Sequence, residues 1–233
     1  MAKQYIQKIK EYRIKGGLSQ EQIANVIGVS RPTYTAIESG KQELSAEEIQ
    51  KLAKFYSISV DELLSGEISD FEKYKQMILA YLRMDISNKE GGKVPKTKLA
   101  KLLYLADFAW FYNNLKSMSG MQYRKLPYGP VPDEFFRAID ELASDGKINI
   151  EPKTEGEKEM LLISEPESNK NEKLIKVSSE EINLMEKIAE KWKDKRTNEI
   201  VNFTHNQMPY LLCKNDEFIP YELITQEDFD QVY

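Results

Sequence analysis

The sequence predicts a mainly α protein of two domains, residues 1–66 and 67–233, with one small β-hairpin. Three observations carry this. Apolar residues recur at helical spacing through most of the 233 positions. The helix-start pattern of Ser followed three residues later by Glu or Gln appears at Ser19, Ser45, Ser59, Ser69 and Ser178. Strand-like runs are confined to one stretch, residues 147–164.

The elements follow in order. Residues 3–15 form a first helix that buries Tyr5, Ile6, Ile9, Tyr12 and Ile14 and leaves Lys8, Lys10, Arg13 and Lys15 solvated or near phosphate. Residues 18–42, LSQEQIANVIGVSRPTYTAIESGKQ, parse into two short helices and a tight turn. Ser19 caps the first of them. Leu18, Ile23, Ala24 and Ile27 share one face, and Gly28 supplies the positive φ that the turn needs. Ser30 caps the second, Pro32 is tolerated in its first turn, and Gly40 with Lys41 closes it. Tyr34 and Ile37 point inward. Ser45 with Glu48 opens a fourth helix to about residue 56, and Ser59 with Glu62 a short fifth helix ending in Leu63 and Leu64.

This is a helix-turn-helix, whose second helix enters the DNA major groove. Arg31, Thr35 and Ala36 should face the bases, with Pro32 leading and Thr33 toward the strand. Arg31 suits guanine, since a guanidinium gives two hydrogen bonds to O6 and N7, and Pro32 or Ala36 suits a thymine methyl. Gln20 and Ser30, at helix N-termini, are placed for phosphate, and Lys41 adds a charge. The net charge of −5 does not oppose this, because charge is local: residues 1–42 hold seven Lys/Arg against three Asp/Glu. Such a head buries little groove, so a homodimer on a palindromic operator is expected.

Residues 66–69 form a short linker. A helix over 70–85, started at Ser69, buries Phe71, Tyr74, Met77, Ile78, Tyr81 and Leu82. A loop precedes a central helix over 96–115, whose apolar face is broad. Residues 117–132 are a Gly/Pro-punctuated segment, and 133–144 form a helix. KINIE and EMLLIS read as paired strands around PKTEGEK, and EPESNKNEK as a mobile polar loop, within about 147–176. Further helices cover 179–193 and 197–204. From Asn215 onward there are six acidic residues and no basic one, interleaved with Phe218, Tyr221, Phe229 and Tyr233. That composition suits solubility or a basic partner.

No run of about 18 apolar residues spans a membrane, and the charged N-terminus has no apolar signal core, so a bacterial-type cytoplasm is expected. Cys213 is the sole cysteine and His205 the sole histidine. With no P-loop, GxSxG or paired-carboxylate signature, no enzyme, catalytic residue, metal or cofactor is expected. Asp107 should pair with Arg124 or cap a nearby loop. His205 should be a hydrogen-bonded packing residue near a helix start.

SQEQIA, GVSRPTY and I-E-S-G make residues 18–64 resemble the Cro/C1-type repressor domain of the XRE family, with a lambda-repressor-like fold. KTKLAKLLYLADFAWFY, YRKLPYGPVPDEFFRAID and FTHNQMPY are together similar to the Panacea, or SocA-like, antitoxin domain, from about residue 71 to 212. That resemblance implies an antitoxin that binds a cognate toxin encoded beside it, and the first domain would repress the shared operon. Tyr123, Arg124, Tyr128, Gly129 and Pro130 then read either as a toxin-facing surface or as a rigid loop packed on the central helix. The alternative is a phage or mobile-element regulator whose second domain binds a non-toxin protein or ligand.

Overall fold

In a computed structural model the described residues are 4–56, 58, 60–65, 69–84, 86, 92–155 and 158–233. The chain divides into two units, Met1–Ile68 and Ser69–Tyr233. Residues 66–68 of the expected 66–69 linker, the Ser59 cap and most of the loop before the central helix lie outside the described residues.

The first unit has five helices: α1 (Gln4–Lys15), α2 (Gln20–Ile27), α3 (Arg31–Glu38), α4 (Ala46–Tyr56) and α5 (Val60–Ser65). Its core is Ile9, Ile23, Ala24, Ile27, Tyr34, Ile37, Leu52, Ala53 and Leu63, all near zero exposure. Each large side chain buried there stabilises the unit by roughly 1.5–3 kcal/mol. Three expectations for α1 need correction, one being that Arg13 is half-buried against Glu38 and not solvated. Lys8 is fully buried, with its ammonium 5.8 Å from the Tyr12 ring centroid, because its stem packs like an apolar side chain. Ile14 is exposed, because it falls in the last turn, off the face that meets the core. Ser45 and Glu48 form the reciprocal cap of α4.

The second unit is built around α7 (Lys96–Asn114), which is buried on every side from Lys98 to Ala109. A helix buried all round must be enclosed by neighbours. Around it lie α6 (Phe71–Arg83), α9 (Ser179–Trp192), α10 (Thr197–Asn206) and a 3-10 turn at Tyr221–Gln226. Asp70, not Ser69, caps α6 by accepting from the Lys73 amide at 2.9 Å. Ser178 and Glu181 make the reciprocal cap of α9.

Two antiparallel sheets complete the unit. One has the order β1-β5-β4, from β1 (Val94–Pro95), β4 (Asn149–Glu155) and β5 (Lys158–Ser164), with Ile163 opposite both Val94 and Ile150. Its hairpin is longer than KINIE and EMLLIS imply, since Pro152 to Glu155 pair as strand. The other is a hairpin, β2 (Tyr123–Leu126) with β3 (Gly129–Pro132), in the segment read only as Gly/Pro-punctuated; α8 (Asp133–Ser144) follows it.

The polar loop after β5 is pinned, contrary to the expected mobility. Arg83 forks onto buried Glu165 with two bonds of 2.8 Å and also donates to the carbonyls of Glu172 and Asn169. The acidic C-terminal stretch packs too. Tyr221 stacks on Phe108 at 4.5 Å and donates to the Met121 carbonyl at 2.7 Å.

Candidate DNA-reading head and hairpin face

The head is set by its turn. Ser19 and Gln22 form the full capping box of α2, and Gly28 takes φ 80°. The Val29 amide then donates back to the Ala24 carbonyl at 2.9 Å, and Ser30 caps α3 by accepting from the Thr33 amide.

One carboxylate locks the two helices together. Glu38 accepts from Arg13 Nε at 2.5 Å and Nη2 at 3.1 Å, from Gln20 Nε2 at 2.9 Å and from the Tyr34 hydroxyl at 3.1 Å. Burial works to raise the Glu38 pKa, but the bonds from Arg13, Gln20 and Tyr34 outweigh it and hold the carboxyl below its ordinary value. Arg13 also donates to the Leu18 carbonyl at 3.0 Å, which ties α1 to the start of α2. This hub was not anticipated; its signal is a Glu at the end of α3, four residues after a core Tyr.

With Tyr34 and Ile37 buried, α3 turns Arg31, Pro32 and Thr35 to solvent and leaves Thr33 and Ala36 half-buried; Lys41 is exposed just beyond. Gln20 and Ser30 are more committed than a plain phosphate role implies. The Gln20 amide is drawn to Glu38, and its Oε1 lies 3.2 Å from the Thr35 hydroxyl. The Ser30 hydroxyl is 2.8 Å from that of Thr33.

In the second unit, Asp107 caps the loop before β2 and makes no pair with Arg124. It accepts from the Ser119 amide at 2.6 Å, the Ser119 hydroxyl at 2.5 Å and the Tyr123 hydroxyl at 2.8 Å. Burial raises its pKa to about 6 against those bonds. Arg124 pairs with Asp133 at 3.1 Å.

Of the five residues read as a toxin-facing surface or a rigid loop, Tyr123, Gly129 and Pro130 are buried, which argues against the toxin-facing reading for them. Tyr123 belongs to the Asp107 cap. Gly129 and Pro130 close over Lys101, whose Nζ donates to the Pro130 carbonyl at 2.8 Å. Tyr128 is exposed and Arg124 is half-buried. Burial lowers the Lys101 pKa to about 7. His205 lies in the last turn of α10, just before the start of α11 (Met208–Leu212). Its ring stacks on Tyr210 at 4.3 Å, and its Nε2 is buried with no hydrogen-bond partner among the described residues. Burial, and then Lys101 and Lys125, lower its pKa.

Among the described residues no group of three or more His, Cys, Asp or Glu could hold a metal ion, and no helix is long and apolar enough to cross a membrane.

Comparison with known proteins matches residues 9–63 to the family described as Helix-turn-helix and residues 99–210 to Antitoxin SocA-like, Panacea domain. The chain is 41% identical over 85 residues to the cryptic phage CTXphi transcriptional repressor RstR of Vibrio cholerae, a match covering 36% of this chain and 77% of that protein. It is 39% identical over 64 residues to the HTH-type transcriptional activator BcrR of Enterococcus faecalis, 28% of this chain and 31% of that one. An uncharacterized HTH-type transcriptional regulator of Methanocaldococcus jannaschii is 41% identical over 60 residues, 26% of this chain and 91% of that protein. No solved structure matches.

Proposed function

We propose, from the premise that this chain belongs to the helix-turn-helix transcriptional regulators and carries an antitoxin SocA-like Panacea domain, that it is an antitoxin. In this reading its second unit binds a cognate toxin, the product of an adjacent gene, and blocks it by direct contact. Its first unit represses the shared operon as a homodimer on a palindromic operator. Arg31, Pro32, Thr35 and Ala36 read bases, Thr33 faces the strand, and Gln20, Ser30 and Lys41 meet phosphates. The observation that carries the reading is the pairing of the two matched regions in one chain, with α3 presenting an arginine and threonine face to solvent.

The test is growth. This chain and its neighbouring open reading frame are expressed from separate inducers. The expected result is arrest by the neighbour alone and recovery when this chain is added. A harmless neighbour, or one that stays lethal with this chain present, overturns the antitoxin reading. The likeness to a cryptic phage repressor then favours the second reading, a phage or mobile-element regulator whose second unit takes another protein or a ligand.

A further inference from the structure

We infer that the solvent side of α11 (Met208–Leu212), with the β2–β3 hairpin tip beside it, is the toxin-binding surface, and that it fits a cationic protein face with an apolar centre. This rests on the antitoxin reading above.

The helix is amphipathic in the wrong direction for a monomer. Met208, Leu211 and Leu212 stand at i, i+3 and i+4, so they share one face. That face points outward: the three are 39, 54 and 57% exposed, while Pro209 is buried behind them. Single exposed leucines are ordinary on a surface, but three apolar residues on one helical face are not scatter. Tyr210 fixes the helix to the hairpin. Its ring stacks on His205, and its hydroxyl donates to the Leu126 carbonyl at 2.9 Å. Lys125 adds a strut to the Cys213 carbonyl at 2.9 Å. Two residues beyond Leu126, Tyr128 is 80% exposed at the hairpin tip. The result is a braced apolar patch with an aromatic edge, and ordering such a patch on binding costs little.

Charge selects the occupant. Asp216 and Glu217 come after α11 beyond Cys213, Lys214 and Asn215, with exposed carboxylates, and the Asp216 amide donates to the Lys125 carbonyl at 2.8 Å, which places the acids against the hairpin. The cations there are occupied. Arg124 pairs with Asp133 and, at 3.9 Å, with Asp216 and lies 4.0 Å over the Phe218 ring, Lys125 donates to the Cys213 carbonyl, and Lys214, itself exposed, lies 3.8 Å from Glu217, so the acids beyond these pairs set the sign of the rim. Residues 215–233 hold six acidic side chains and no basic one. A second copy of this chain would set that acidic rim against itself, and a nucleic acid would be repelled. A partner with a basic rim gains on both counts.

The experiment measures binding of the full chain to the purified product of the adjacent open reading frame. It compares the unsubstituted chain with Leu211→Asp/Leu212→Asp, Tyr128→Ala and Asp216→Lys/Glu217→Lys. All five positions are exposed, so operator binding should stay unchanged in each variant and thermal unfolding unchanged in the leucine and tyrosine variants. The charge pair also removes the contacts of Asp216 with Arg124 and of Glu217 with Lys214, so its binding is compared at a temperature where its unfolding curve shows it fully folded. The leucine pair should bind at least about 30-fold more weakly and fail to restore growth. The charge pair should bind about 10-fold more weakly and lose most of the salt dependence of the unsubstituted chain. Unsubstituted chain and all variants binding alike overturns this surface and leaves the antitoxin reading standing. No binding by the unsubstituted chain overturns both. A sedimenting mass that halves in the leucine variant assigns the face to a second copy of this chain and also overturns the proposal.

Discussion

Gly129 is the position where one missing carbon matters most. Its φ is 94°, in the left-handed region, and a Cβ there would lie 2.8 Å from Lys101 Cε and 3.0 Å from His205 Nε2. Gly129→Ala should therefore destabilise the second unit by about 2–4 kcal/mol, combining backbone strain with a clash against buried side chains; urea unfolding of the full chain measures it. Lys101 beneath it makes stability depend on pH. Its pKa falls from the ordinary 10.5 to about 7 in the fold, so the unfolded chain binds the extra proton in between. Its contribution is present above the unfolded value and is lost as pH falls through about 7. Lys101→Met should flatten the fall in stability between pH 10 and 7, read from denaturation midpoints across that range. Unequal slopes that persist in the variant would point to another group. That Lys101 stands in an apolar helix stretch was visible in the sequence. That it is sealed by Gly129 and Pro130 was not, because the contact joins positions 28 and 29 residues away.

At the scale of elements, local chemistry was the best guide. The caps at Ser19, Ser30, Ser45 and Ser178 involve atoms three residues apart, so the sequence carries all of the information. Asp70 displaced Ser69 because both residue types cap well and only the direction of chain entry decides between them. The β2–β3 hairpin escaped notice because its Gly and Pro residues read as breakers, whereas here they sit in a short strand. On α3, Arg31→Ala should weaken operator binding by roughly 5- to 150-fold, as loss of a contact worth about 1–3 kcal/mol requires, and leave weak non-specific binding intact. Footprints with operator and scrambled DNA distinguish these. An unchanged operator footprint removes Arg31 from the reading face.

At the scale of the whole molecule, charge separates two tasks. The local +4 of residues 1–42 suits phosphate, and the remaining chain, near −9, resists stray DNA. A single head reads too few bases for strong discrimination, so the protein should sediment as a dimer on operator DNA, with half-sites about one helical turn apart. A mass that stays monomeric on saturating operator would contradict this. Operator affinity should fall steeply with added salt, because phosphate contacts release counterions.

The sequence by itself determined the helical class, the helix-turn-helix and its caps, and that Arg31, Pro32 and Thr35 of α3 meet solvent. Those follow from spacing within a single turn or a single pair of helices. Only the tertiary structure decided that Tyr123 is a buried partner of Asp107, that the polar loop is held by Arg83, and that α11 turns its apolar side outward. Each of these depends on which distant segment packs alongside. Periodicity names a face of a helix, and only packing says whether that face is covered.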